Sequence, residues 1–191
     1  MAPSESFTLS DVARRLGVPQ HRLIHLCEKG VVVPDVHGAS GRGSSRVFST
    51  RNVLELTVAL RLREMMLPVA TVGSIVHVLR VFEDTLQREL GSFSMIADLR
   101  SDQAPDLRVI VSDGRLLYFS LRAAIAAPRL FGGIELDQLT SPGATWDGAI
   151  RAARTHGSKP TNGARFGGLE DSRFGRLELS VTEIARALPL D

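Results

Sequence analysis

The sequence has 191 residues, of which 43% are hydrophobic and 23% charged, so it is long enough to bury a core in one large domain or two small ones. The net charge is only +2, and the single cysteine, Cys27, excludes an intramolecular disulfide and any metal site built from several thiolates. The longest uncharged run, Met65 to Leu79, is too short to span a membrane. We therefore expect a cytoplasmic protein that makes no membrane contact.

Two short helices separated by a tight turn are predicted near the N-terminus. Ser10 is expected to cap a helix over residues 11–16, and Gly17 ends it. Pro19 occupies a favoured first position of the second helix. The apolar residues of this helix recur on one face, namely Leu23, Leu26 and Cys27. This arrangement predicts a helix-turn-helix.

A wing and two longer helices follow. Residues 31–33 and 46–48 predict two short strands around a loop rich in glycine and serine. Ser49 or Thr50 is then expected to cap a helix that runs to about residue 66. The next helix opens at Pro68 and ends before Gly91, and its apolar face continues beyond the first domain. We interpret that face as a contact for a second copy of the chain.

The second half predicts a small antiparallel sheet. Asp113-Gly114 separates two apolar strands, 107–112 and 115–120, which is a strong hairpin signal. Further elements are expected in the following order: a strand within 93–99, a helix over 121–127, a strand over 133–137, a loop-rich stretch at 141–173, a strand over 176–179 and a helix over 181–188. The predicted fold class is α+β. The predicted domains are 1–80 for the winged helix-turn-helix, 81–92 for the continuation of the linking helix, and 93–191 for an effector or interaction domain.

The distribution of charge points to the N-terminal half as the surface that meets a polyanion. Residues 1–80 carry 10 basic and 6 acidic side chains, a balance of +4, which leaves 13 basic and 15 acidic side chains, or −2, for the remainder. In a winged helix-turn-helix the second helix enters the major groove, and the wing reaches the backbone or the minor groove. Double-stranded DNA is therefore the predicted partner.

Four blocks of sequence resemble the MerR family of transcription regulators: Phe7–Val18, Lys29–Val31, Ser45–Ser49 with Asn52-Val53, and Leu62-Arg63 through Val72-Ile75. The resemblance implies a homodimer held by an antiparallel helix, which here would be residues 68–90. It also implies that Arg46 and Phe48 anchor the wing on the DNA backbone. Members that sense metals or oxidants use several C-terminal cysteines. This chain has none there, so we expect no cofactor and no bound metal.

The candidate DNA-binding residues lie on both helices and the wing: Arg14, Arg15, Gln20, His21, Arg22, His25, Arg42, Ser44, Ser45, Arg46 and Phe48. Arginine suits guanine and phosphate, glutamine suits adenine, and the serines suit phosphate. No nucleophile elbow, phosphate loop or acid–base pair is visible, so we expect no enzymatic activity.

The sequence leaves alternatives open for both halves. The C-terminal domain is compatible with sensing a small molecule, with binding a protein partner or stabilising an oligomer, or with an unrecognised activity. For the whole chain, the alternatives to a sequence-specific regulator are an architectural, excisionase-like accessory protein and a partner-binding module that has lost DNA binding.

Overall fold

The computed structural model describes residues 6–35, 46–90, 93–122, 129–137 and 175–190. Within these ranges the chain is a mixture of helices and an antiparallel sheet, so the predicted α+β class is confirmed. The elements in chain order are β1 (Ser6–Thr8), α1 (Leu9–Leu16), α2 (Gln20–Glu28), β2 (Val47–Ser49), α3 (Thr50–Glu64), α4 (Val69–Leu90), α5 (Met95–Arg100), β3 (Asp106–Ser112), β4 (Leu116–Arg122), β5 (Arg129–Glu135), β6 (Arg176–Ser180) and α6 (Val181–Ala187).

Thr8, not Ser10, caps α1. The Thr8 hydroxyl accepts a hydrogen bond from the Asp11 backbone N–H at 3.2 Å, and the Asp11 carboxylate accepts one from the Thr8 backbone N–H at 3.1 Å. This reciprocal capping box satisfies two N–H groups at once, which a cap at Ser10 would not achieve. Gly17 then ends the helix with φ of 63°, a left-handed conformation that favours glycine.

The second helix begins one residue later than expected, at Gln20, with Pro19 as its cap. The Pro19 carbonyl accepts a hydrogen bond from the Arg22 backbone N–H at 3.0 Å. Leu23 and Leu26 are buried against the core, and Cys27 packs beside them partly buried. The predicted helix–turn–helix is therefore present.

The predicted strand over residues 31–33 is wrong, so it does not pair with β2. Instead, β2 pairs antiparallel with β1, and Phe7 lies opposite Phe48. That pairing places both aromatic rings in the core, whereas Val31 and Val32 are buried without forming a strand. Residues 36–45 of the predicted wing lie outside the described residues.

Helix α3 lies at the centre of the N-terminal half. Ser49 caps it through a second capping box with Asn52, so of the two predicted caps Ser49 is the one used. Most of its residues are buried on every side rather than along one stripe, because α2, α4, α5 and α6 all contact it.

The apolar face of α4 is covered by the same chain, contrary to our interpretation of it as a contact for a second copy. Its buried side chains are Val72, Ile75, Val76, Val78, Leu79, Phe82 and Leu86. The ring of Phe82 stacks on Phe119 of β4, with centroids 5.4 Å apart and planes 11° apart. The C-terminal sheet thus packs where the sequence suggested a partner.

The first element after α4 is helix α5, although a strand was predicted over 93–99. Met95 and Leu99, four residues apart, are both buried on one face of it. Such a short apolar run is compatible with the periodicity of a helix or of a strand, so the sequence alone could not distinguish the two. Burial of Met95 and Leu99 in the interior favours the helix. Asp98 supports its start by accepting a hydrogen bond from the Ser94 backbone N–H at 2.6 Å.

The C-terminal sheet has the strand order β5-β4-β3-β6, with every neighbouring pair antiparallel. The β3–β4 hairpin is confirmed, and both turn residues are left-handed, with φ of 54° at Asp113 and 64° at Gly114. Residues 121 and 122 continue β4 instead of starting a helix, because Leu121 pairs with both neighbouring strands. Strand β5 begins at Arg129, earlier than predicted, and residues 123–128 and 141–173 lie outside the described residues.

Strand β6 and helix α6 close the fold as predicted. The Thr182 hydroxyl accepts a hydrogen bond from the Leu107 backbone N–H and donates one to the Pro105 carbonyl, both at 2.8 Å. Helix α6 contacts α3, α5 and β3. The buried side chains of the two halves consequently form one continuous cluster.

Candidate nucleic-acid interface

The outward face of α2 carries the predicted contact residues. Gln20, His21 and His25 are exposed, and the Arg22 side chain is 37% exposed. This orientation follows from the burial of Leu23 and Leu26, which fixes the rotation of the helix about its axis. Four of the predicted residues are thereby brought together on one surface.

A groove of about 250 Å³ lies beside this face, between α2 and α3. His21, Arg22 and His25 line one side, and Arg63 lines the other. Arg63 was missed by sequence reasoning, because only the packing of α3 on α2 brings it there. Its guanidinium donates a hydrogen bond to the Leu67 carbonyl, which holds it at the end of α3.

Glu64 is an acidic residue that contacts Arg22 of this groove. Its carboxylate lies 2.8 Å from Arg61 and 3.8 Å from Arg22. All three side chains are more than a third exposed, so these ion pairs are weak, and an anion of higher charge can compete for Arg22.

The two arginines of α1 have partners inside the chain. Arg14 forms an exposed ion pair with Asp11 at 2.5 Å. Hydrogen bonds from Thr8 hold the pKa of Asp11 below its ordinary value. Arg15 lies over the Phe7 ring, 5.0 Å from its centroid, and donates a hydrogen bond to the Pro189 carbonyl at 2.6 Å. Arg15 thus contacts the segment after α6.

Of the predicted wing residues, Arg46 lies at the edge of the described segment and is partly exposed. Burial raises the pKa of the Cys27 thiol on α2, and the positive charge of Arg46 partly offsets that effect. Phe48 is fully buried, so its ring packs in the core and is not available for the predicted DNA contact. Arg42, Ser44 and Ser45 lie outside the described residues.

The amide of Asn52 connects the described segments on either side of residues 36–45. Its oxygen accepts hydrogen bonds from the backbone N–H groups of Asp35 at 2.8 Å and Ser49 at 3.3 Å. Its nitrogen donates to the Val33 carbonyl at 3.1 Å and to the Glu55 carboxylate at 3.0 Å. The residue is fully buried, and this set of bonds uses both donors and both lone pairs of the amide.

Arg80 of α4 joins this cluster from the other side. Its guanidinium forms two bonds with the Glu55 carboxylate, at 2.6 and 2.5 Å, and an ion pair with Asp35 at 2.9 Å. Glu55 is only 3% exposed, so the bidentate pair is largely shielded from solvent. The hydrogen bonds with Glu55 raise the pKa of Arg80 above its ordinary value, and the guanidinium stays charged.

A second arginine extends the cluster toward the C-terminal half. Arg51 lies 2.8 Å from Glu83 and 2.7 Å from Asp84. The other oxygen of Glu83 accepts a hydrogen bond from the Met95 backbone N–H at 2.8 Å, at the start of α5. Burial raises the pKa of Glu83, although that hydrogen bond and Arg51 act in the opposite direction.

A larger open cleft of about 730 Å³ separates α1 and α3 from β6 and α6. Its walls carry charges of both signs, including Arg15, Arg61, Glu64 and Glu183, over an apolar floor that includes Leu60 and Ile184. It shares Glu64 with the surroundings of Arg22.

The fold and the basic groove together define a helix-turn-helix protein. More specifically, residues 7–85 match the family described as MerR HTH family regulatory protein, which supports an N-terminal domain of that type. The match covers β1 through most of α4 and ends before the C-terminal sheet. No curated protein matches the chain.

The described residues contain neither a helix that could span a membrane nor a cluster of metal-ligating side chains. No helix there is long and apolar enough to cross a membrane. In the same part of the chain, no group of three or more histidine, cysteine or acidic side chains is arranged to hold a metal ion. His21 and His25, four residues apart, both line the groove between α2 and α3.

Proposed function

We propose that the protein is a sequence-specific transcription regulator that binds duplex DNA through α2 and the wing. The observation that carries this proposal is the exposed row of Gln20, His21 and His25 with Arg22 and Arg63 in the adjoining groove, on a domain of the MerR family. The row lies at the start of the second helix, where a helix-turn-helix meets base edges.

The side chains divide into two roles by their chemistry. Arg22 and Gln20 suit the acceptor and donor patterns of guanine and adenine in the major groove. Arg46 and Arg63 suit phosphate, which fixes the position of the domain on the duplex without reading its sequence.

The proposal includes a homodimer, as is typical of the family. If the protein binds DNA as a homodimer, we expect its operator to have two-fold symmetry, with half-sites about one helical turn apart. The contact between copies must involve residues other than the apolar face of α4, because that face is buried by the chain itself.

The first experiment is a salt titration of binding to random duplex and to the duplex upstream of the protein's own gene. We expect binding that weakens steeply with salt and prefers one sequence. Tight binding without preference would instead support an architectural role. An absence of binding to either duplex at low salt would contradict the proposal and leave a partner-binding module.

Substitution of two arginines tests the docking. Arg22→Ala and Arg46→Ala are each expected to weaken binding and to leave the fold intact, because both side chains are partly exposed. Loss of a base contact costs about 1–3 kcal/mol and relaxes the sequence preference, whereas loss of a phosphate contact lowers the salt slope by about one.

The matched control is Arg115→Ala, which removes the same charge from an exposed site on the C-terminal sheet, where Arg115 pairs with Glu135 at 3.1 Å. Its DNA affinity should stay close to that of the unmodified chain. Unchanged affinity in both Arg22→Ala and Arg46→Ala would exclude the proposed docking.

A further inference from the structure

The two ends of the wing meet at one acidic side chain. Asp35 is the last described residue before the wing, and its carboxylate accepts a hydrogen bond from the Ser49 hydroxyl at 2.9 Å, just after the wing. The same carboxylate pairs with Arg80 of α4 at 2.9 Å. Asp35 therefore connects the segments before and after the wing to α4, a helix that lies outside the wing.

We propose that Arg80 is a positioning residue for DNA binding, which fixes the base of the wing through Asp35 and does not itself touch DNA. The inference rests on the proposed function and adds to it the group that orients the wing. Neither Asp35 nor Arg80 was among the residues selected from the sequence as contacts.

The geometry makes Arg80 the fixed member of this pair. Two of its nitrogens are held by the nearly buried carboxylate of Glu55, and Glu55 is held in turn by the amide of Asn52. The planar guanidinium has one further nitrogen directed at Asp35. Because Arg80 cannot turn without breaking the pair with Glu55, the position of Asp35 is set by α4.

The position of Arg46 follows from the same contacts. Arg46 precedes Ser49 by three residues, and Ser49 is held by Asp35 through its hydroxyl and by Asn52 through its backbone. A change at Asp35 or Arg80 is therefore expected to move Arg46 relative to α2 without removing any group that contacts DNA.

The direction in which DNA affinity changes when the Asp35 charge is removed distinguishes a positioning role from a purely electrostatic one. Asp35 is a negative charge on the basic half of the chain, so its removal alone would strengthen the attraction to phosphate. If Asp35 and Arg80 position the wing, Asp35→Asn should weaken binding instead. The two explanations predict opposite changes for the same substitution.

The test uses the full chain and a fluorescent duplex that contains the preferred sequence, at one fixed salt concentration. Asp35→Asn is expected to lower the affinity by about threefold to tenfold. Arg80→Lys keeps the net charge but loses the planar fork that reaches Glu55 and Asp35 together, so it should lower the affinity by a similar factor. Glu64→Gln removes one negative charge near Arg22 without touching the wing, and it should bind equally or more tightly.

Folding is followed by thermal denaturation, and the base of the wing by hydrogen exchange of the Asp35 amide, which donates to Asn52. Faster exchange in Asp35→Asn and Arg80→Lys, with weaker binding by the folded protein, supports the inference. Binding by both variants as tight as that of the unmodified chain, or weakened only in proportion to their unfolded fraction, overturns it. If the unmodified chain binds no DNA, the proposed function fails and this inference fails with it.

Discussion

At the scale of single residues, Glu83 is a buried carboxylate whose shifted pKa links the stability of the fold to pH. Its carboxylate is buried at the junction of α4 and α5, with Arg51 on one oxygen and the Met95 N–H on the other. Burial disfavours the charged form and raises the pKa above the ordinary value of 4.5. The native state therefore binds this proton more tightly than the unfolded chain does.

The free energy of unfolding should record that difference as a dependence on pH. Between pH 4.5 and the raised pKa of Glu83, the native state holds more protons, so the contribution of Glu83 to stability falls as pH rises. Glu83→Gln removes this contribution. Urea denaturation across this range should show the unmodified chain losing stability relative to Glu83→Gln as pH increases, and parallel curves would contradict the assignment.

Glu178 is a useful control, because its pKa is shifted in the opposite direction to that of Glu83. Burial raises its pKa, but hydrogen bonds from Arg176 and Arg108 outweigh burial and leave the pKa below the ordinary value of 4.5. Its contribution to stability is present above pH 4.5 and is lost as pH falls through the lowered value. Relative to Glu178→Gln, the unmodified chain should therefore lose stability on acidification.

At the scale of elements, the contact between α4 and β4 joins the two halves of the chain. Phe82 and Phe119 are both buried, and their stacked rings are expected to contribute about 0.5–1.5 kcal/mol beyond the area that they bury. Phe82→Leu and Phe119→Leu should each destabilise the fold by about 1–2 kcal/mol. A double-mutant cycle measured by denaturation should return the stacking energy, whereas additive effects would mean that the rings are not coupled.

At the scale of the whole molecule, the covered face of α4 makes the N-terminal half dependent on the C-terminal sheet. A chain truncated after Leu90 would lose Phe119, whose ring stacks on the buried ring of Phe82, and so would uncover that part of α4. We expect it to self-associate in a concentration-dependent way, as measured by sedimentation. Phe82→Glu in the truncated chain should reduce that association. A truncated chain that stays monomeric and unfolds cooperatively would contradict this dependence.

Local signals were sufficient for much of the fold. The glycine at position 17 and the spacing of Leu23 and Leu26 predicted the helix–turn–helix, and Asp113-Gly114 predicted the hairpin. Each of these features is decided by residues that are neighbours in sequence. The exposed face of α2 followed directly, because the buried residues of a helix determine which residues point outward.

The features that sequence reasoning missed all depend on distant segments. The pairing of β1 with β2 joins residues about 40 positions apart, and the groove gains Arg63 only through the packing of α3 on α2. Asn52 was noticed as part of a family pattern, but its four hydrogen bonds require the folded wing base. The limits of the predicted domains and most of the assigned contacts stay predictions.

The packing of α6 on α3 has a consequence for the order in which the protein is made. Helix α3 ends at Glu64, whereas α6 begins at Val181, so most of the chain is synthesised between the two. A nascent chain that already contains α1 to α4 still lacks α5 and α6, which complete the cover of α3, and the Pro189 carbonyl that accepts the hydrogen bond from Arg15. The groove between α2 and α3 therefore reaches its final support only after β6 and α6 have left the ribosome, and unfinished chains are expected to bind DNA poorly.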